Sequence, residues 1–109
     1  MKVLKFGGSS VANPECIRSV AAIVLAAAKR DRIVVVVSAF QGVTNQLLQC
    51  AHLAEKGRTE YQKLFAQIAQ KHRDAINTLI KKHNRRETLA LLDERLKELE
   101  DVLHGMSLL

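Results

Sequence analysis

The chain has 109 residues, enough for one small domain or part of a larger one, and 48% of them are hydrophobic and 26% charged. That balance supports a packed core and excludes intrinsic disorder. The formal net charge of +6 favours anionic ligands such as nucleotide phosphates or acidic metabolites. The cations are scattered except for Lys81, Lys82, Arg85 and Arg86, which suit a helix carboxyl end better than a nucleic-acid surface.

In chain order, Lys2 to Phe6 is expected to be a short strand running into Gly7, Gly8, Ser9 and Ser10. Asn13-Pro14-Glu15 opens a helix: the asparagine can cap it, proline suits the first turn, and glutamate suits the positive dipole end. Ile17, Val20, Ala21, Val24 and Ala28 give this helix an apolar face. Ile33 to Val37 is a β-branched run without alternation, as in a parallel strand covered on both sides. Strand, glycine turn, helix and strand together predict a βαβ unit. A loop over Ser38 to Gly42 leads to a helix from about Thr44 to about Lys56, which Gly57 ends with a left-handed cap.

The remainder differs in kind. Thr59 is expected to cap a long helix carrying Tyr61, Leu64, Phe65, Ile68, His72, Ala75, Ile76 and Leu79 at helical spacing. Leu89, Leu92, Leu96, Leu99 and Leu103 form a narrow seam on a last helix. The polar link at His83-Asn84-Arg85-Arg86 predicts an antiparallel hairpin. The expected organisation is residues 1–57 as βαβ plus a helix carrying anion-binding loops, and 58–109 as the hairpin. Two parallel strands make a poor independent sheet, so the chain is expected to be part of something larger or to associate with copies of itself.

Lys5-Phe6-Gly7-Gly8-Ser9-Ser10 carries the chemistry. Glycines directly after a strand let backbone amides approach an anion, and the following helix is expected to add its positive end. Lys5 projects near the strand end, and two hydroxyls complete a phosphate or carboxylate cradle. Neither the P-loop nor the dinucleotide glycine pattern is present. The loop from Ser38 to Gly42 leaves the same sheet edge, where open α/β sheets bind ligands.

The opening MKVLKFGGSSVAN resembles that of aspartate kinases in the amino-acid kinase family, which commonly read KFGG[ST]S. VVVVSAFQGVTNQLL is similar to their second strand and loop, with Thr44-Asn45 at its TN pair. Val102 to Leu109 resembles the end of a helical insert in aspartokinases fused to homoserine dehydrogenase. The resemblance implies a three-layer α/β/α sandwich, of which this chain is the amino-terminal part. The implied reaction is transfer of the ATP γ-phosphoryl group to the side-chain carboxylate of aspartate, with Mg²⁺. By position, Lys5 supplies catalytic charge, and Lys5, Gly7, Gly8, Ser9 and Ser10 bind phosphate. Ser38, Ala39, Thr44 and Asn45 bind substrate. In that family the base pocket, further aspartate contacts, magnesium-associated acids and regulatory domains lie beyond this length, so the chain alone is expected to be inactive.

Cys16 and Cys50 lack zinc-type or CxxC spacing and the histidines share no ligand face, so no metal site and a reduced cytoplasmic setting are expected. The amino terminus has too short an apolar run for a signal peptide, and no stretch is long enough to span a membrane. Neither nucleic acid nor membrane is an expected partner; a homo-oligomer is. Two other readings stay open: a different amino-acid kinase, and a non-catalytic helical module that self-associates through its leucine seam.

Overall fold

The computed structural model describes all residues from Met1 to Leu109. It contains β1 (Lys2–Phe6), α1 (Pro14–Ala28), β2 (Ile33–Val37), α2 (Val43–Glu55), α3 (Tyr61–Leu79) and α4 (Arg85–Ser107). Short 3-10 turns lie at Gly8–Val11 and Lys82–Asn84. Two compact units divide the chain, Met1–Thr44 and Asn45–Leu109.

In the first unit β1 and β2 pair in parallel, with Lys2 beside Ile33 and Phe6 beside Val37 at the two ends. The pairing closes at both ends, through Lys2 N–H to Arg32 O at 2.8 Å and Ser38 N–H to Phe6 O at 3.1 Å. The expected cap of α1 is present: Asn13 Oδ1 accepts from Cys16 N–H at 2.9 Å, with Pro14 at the first position. The half-buried stripe of α1 runs through Cys16, Ile17, Val20, Val24 and Ala27. Ala21 and Ala28, expected on that face, are exposed, because the contact turns slightly around a helix that is apolar on most sides. Ile23 and Leu25 are exposed as well. Both strands carry uncovered apolar groups, Val3 on β1 and Val34 to Val37 on β2. The β-branched run that predicted a strand covered on both sides is here one edge of a two-stranded sheet.

The second unit is helical. Its buried residues include Cys50 and Ala54 from α2, Tyr61, Ile68, Ala69 and Ala75 from α3, and Leu96 and Leu103 from α4. This shared core explains why α2 groups with the later helices, whereas the sequence grouping placed it with the βαβ segment. Gly57 ends α2 at φ +70°, with Gly57 N–H to Ala54 O and Arg58 N–H to Leu53 O both at 2.9 Å. That pair of bonds satisfies two of the helix's last carbonyls. The α3 start differs from expectation. Thr59 offers its carbonyl to Gln62 N–H, and no side chain caps the helix, whose N-cap residue is Glu60. The Glu60 carboxylate instead pairs with Arg58 at 3.1 Å, and that guanidinium holds it below the usual carboxylate range.

The hairpin is antiparallel as expected: Arg73 of α3 reaches Asp93 of α4 at 3.1 Å. Arg85 closes the tip by donating to the terminal α3 carbonyls of Ile80 and, at 2.6 Å, Asn77. One member of the basic cluster thus does serve a helix carboxyl end. The leucine seam turns inward, with Leu96 and Leu103 buried and Leu89, Leu92 and Leu99 half-buried, so it builds the core of this unit and is not free for association.

Candidate functional site

The glycine loop leaves the carboxyl end of β1 and the second loop leaves the carboxyl end of β2, which parallel pairing sets side by side. They approach closely: a Cβ added to Gly8 would lie 3.6 Å from both Ser38 Oγ and Gln41 Cα, and 3.9 Å from Ala39 O. The crevice expected between the two loops is therefore narrow at Gly8. At Gly7 it is open, with no atom within 4 Å of an added Cβ. The amides of Gly7 and Gly8 donate no hydrogen bond within the protein, whereas Gly7 O accepts from Ser10 N–H at 3.0 Å.

The residues after Gly7 form a 3-10 turn, so Ser9 and Ser10 lie inside that turn and α1 begins only at Pro14. One of its first amides, Cys16 N–H, is already engaged by Asn13 Oδ1. The amino end of α1 is thus spaced away from the glycines, and the anion-binding potential rests on the free loop amides and on Lys5. Lys5 is exposed, paired in register with Val36, and forms no ion pair. Alternation along β1 puts it on the opposite face from half-buried Leu4 and Phe6.

The second loop is held by its own bonds. Ser38 Oγ donates to Ala39 O at 2.6 Å, and Val43 N–H donates to Phe40 O at 3.0 Å around Gly42, whose φ is +84°. A left-handed residue here turns the chain from the loop into α2. Thr44 and Asn45 are exposed residues in the first turn of α2, and Asn45 already belongs to the second unit. The structure thus brings Gly8, Ser38 and Ala39 together, with Gly7 beside them. Lys5 sits two residues upstream of Gly7.

Sequence reasoning did not anticipate a cavity of about 810 Å³ in the second unit, lined by α3 and α4 alone. Its floor includes Tyr61, Phe65, Ala69 and Leu96, and its rim includes Arg73, Asp93, Lys97 and Asp101. Those four rim charges are already paired, Arg73 with Asp93 and Lys97 with Asp101 at 2.7 Å. It is a groove between the two helices. The chain gathers no cluster of three or more His, Cys, Asp or Glu side chains.

Parallel strands ending in a glycine loop and a facing small-residue loop define a partial α/β fold with both loops at one sheet edge. The amino acid kinase family is matched over residues 1–100, and the chain belongs to that family. Within it, the similarity is to aspartokinases. The chain is 33% identical over 104 residues to bifunctional aspartokinase/homoserine dehydrogenase 1, chloroplastic, of Arabidopsis thaliana, covering 95% of this chain and 11% of that protein. To the Rickettsia felis aspartokinase it is 53% identical over 47 residues, 42% of this chain and 12% of the relative. The bifunctional aspartokinase/homoserine dehydrogenase of Buchnera aphidicola matches at 30% over 122 residues, 100% of this chain and 14% of the relative. The fold matches the crystal structure of Clostridium acetobutylicum aspartate kinase with a TM-score of 0.66, at 23% identity over 93% of this chain and 24% of that one. The chain thus spans between a tenth and a quarter of these relatives. The resemblance stated from the sequence, and the partial α/β fold it implied, are borne out. No helix is long and apolar enough to cross a membrane.

Proposed function

We propose that this chain forms the amino-terminal part of an aspartate kinase, which transfers the γ-phosphoryl group of ATP to the side-chain carboxylate of L-aspartate. The observation that carries the reading is the pair of unengaged amides at Gly7 and Gly8, in a loop that is open at Gly7 and lies against the Ser38–Ala39 loop at Gly8. An aspartate side chain, with a pKa of about 3.9, is already anionic at neutral pH, so no general base is required. The remaining task is to hold two anions together and to neutralise charge on the transferring group. Lys5 supplies a compact positive charge, the two glycine amides supply fixed donors, and Ser9 and Ser10 supply hydroxyls. Ser38, Ala39, Thr44 and Asn45 are assigned to the aspartate side. Mg²⁺ accompanies ATP and is assigned to no side chain of this segment.

The test is coupled ADP release with aspartate and Mg-ATP, measured on residues 1–109 and on the gene product that carries them. The short chain should give no aspartate-dependent turnover. In the larger protein Lys5→Ala should lower kcat by about 10²-fold or more, the scale of a preorganised contact to developing charge. Lys5→Arg should rescue poorly, because a planar fork replaces a point charge. Near wild-type kcat in folded Lys5→Ala protein would remove Lys5 from the mechanism.

A further inference from the structure

The Ser38 hydroxyl is already occupied. It donates to Ala39 O at 2.6 Å. A hydroxyl carries a single proton, so none is left for a carboxylate or phosphate oxygen. The bond closes a ring through the side-chain torsion and ψ of Ser38 and through φ and ψ of Ala39. Those torsions set the directions of the Ala39 N–H and the Ala39 carbonyl. The Ala39 N–H itself donates no hydrogen bond within the protein.

Ser38 is also fixed at its backbone. Its N–H donates to Phe6 O at 3.1 Å, where the β1–β2 pairing ends. Phe6 immediately precedes Gly7, so the second loop is anchored to the strand end that carries the glycine loop. The bonded hydroxyl and carbonyl also lie where the two loops approach. A Cβ added to Gly8 would meet Ser38 Oγ at 3.6 Å and Ala39 O at 3.9 Å. One side chain thus links the end of the sheet, the turn of the second loop and the spacing between the loops. Sites that join two reactants depend on such spacing, and a misplacement of about 1 Å can cost about 10²-fold in rate.

We propose that Ser38 is a positioning residue. Its hydroxyl does not meet the substrate. By holding the Ala39 carbonyl it fixes the second loop against the glycine loop, and it leaves the Ala39 N–H as a donor to a carboxylate oxygen of the acceptor. The proposal rests on the aspartate kinase reading above.

Two measurements test it, with thermal melting of every variant to check folding. Nitrogen-15 relaxation of the 109-residue chain reads the hydrogen-bonded ring itself. Steady-state kinetics of the gene product that carries the chain read its use. Ser38→Ala should make the Ala39 amide more mobile. It should lower kcat by about 10-fold, the scale of one ordinary hydrogen bond, with KM for aspartate changed by less than about 2-fold. Ser38→Thr keeps the hydroxyl and should restore both readouts. Ser38→Gly adds backbone freedom and should fall below Ser38→Ala. A hydroxyl that touches aspartate predicts otherwise: KM rises, kcat holds, and the alanine and glycine variants behave alike. That pattern overturns the proposal, and so does a Ser38→Ala protein with an unchanged Ala39 amide or wild-type kcat. A gene product without aspartate-dependent turnover overturns the kinase reading, and with it the use of Ser38 in catalysis, while relaxation still decides the ring.

Discussion

Gly7 has no structural need to be glycine. Its φ and ψ are −79° and −177°, extended backbone that any residue adopts, and nothing lies within 4 Å of an added Cβ. A Gly7→Ala substitution should therefore fold normally and gain about 0.4–1 kcal/mol, because alanine narrows the unfolded ensemble. For a chain of this size that is a rise of several degrees in Tm. The effect on an anion is opposite. A hydrogen bond from an amide to a charged oxygen is worth about 1.5–3 kcal/mol, and it weakens steeply once distance and angle leave their optimum. A methyl group in the open space beside the amide pushes the phosphate out of that range. The expected loss is about 10- to 100-fold in Mg-ATP affinity, at about 1.4 kcal/mol per tenfold. Amide-resolved NMR titration with Mg-ATP, paired with thermal melting, reads both effects. A Gly7→Ala protein that is stabilised yet binds Mg-ATP unchanged would refute the reasoning and leave the motif as a turn.

In the helical unit, Leu103 is 2% exposed, so Leu103→Ala should destabilise by about 2–5 kcal/mol in urea titration. Leu48→Ala at an exposed site should stay within about 0.5 kcal/mol. Gly57→Ala forces a Cβ into the left-handed region and should cost about 1–2 kcal/mol, with Gly57→Asn milder. Burial raises the Cys50 thiol above its ordinary value of 9.0, so at pH 8 iodoacetamide should modify half-buried Cys16 well before Cys50. Because the folded Cys50 holds its proton longer than the unfolded one, it removes stability as pH rises through the ordinary thiol value. Folded protein should melt lower above about pH 9, and Cys50→Ala should flatten that decline.

Where local chemistry decides, the sequence was informative. The Asn13-Pro14-Glu15 start, the β-branched run at Ile33 to Val37, and Gly57 as a left-handed stop each follow from the backbone preferences of a few neighbouring residues. The short polar link from His83 to Arg86 likewise revealed that α3 and α4 form an antiparallel pair. What escaped depends on competition between nearby options. Thr59 does not cap α3, whose N-cap residue is Glu60, and the Glu60 carboxylate pairs with Arg58. The 3-10 turn at Gly8–Val11, between the glycines and the helix start expected at Asn13, was not legible, because no residue type there demands it. The placement of α2 with the hairpin follows from Cys50 and Ala54, small residues whose burial no periodicity announces. The leucine seam was found, but spacing cannot say whether a seam meets its own chain or another.

The parallel pairing of β1 and β2 has a consequence for the order of events at the ribosome. Every residue of β1 pairs in register with one about thirty positions later in the chain, so the strand waits a few seconds for its partner at ordinary synthesis rates. In that interval β1 is a bare strand with two free edges and an apolar content of Val3, Leu4 and Phe6. Lys2 and Lys5 interrupt it, leaving no run of more than two apolar residues before Phe6. Such charges are what keep a lone strand from pairing with the wrong chain. The lysine assigned above to a phosphoryl group would thus act first, before any site exists, as a guard against aggregation.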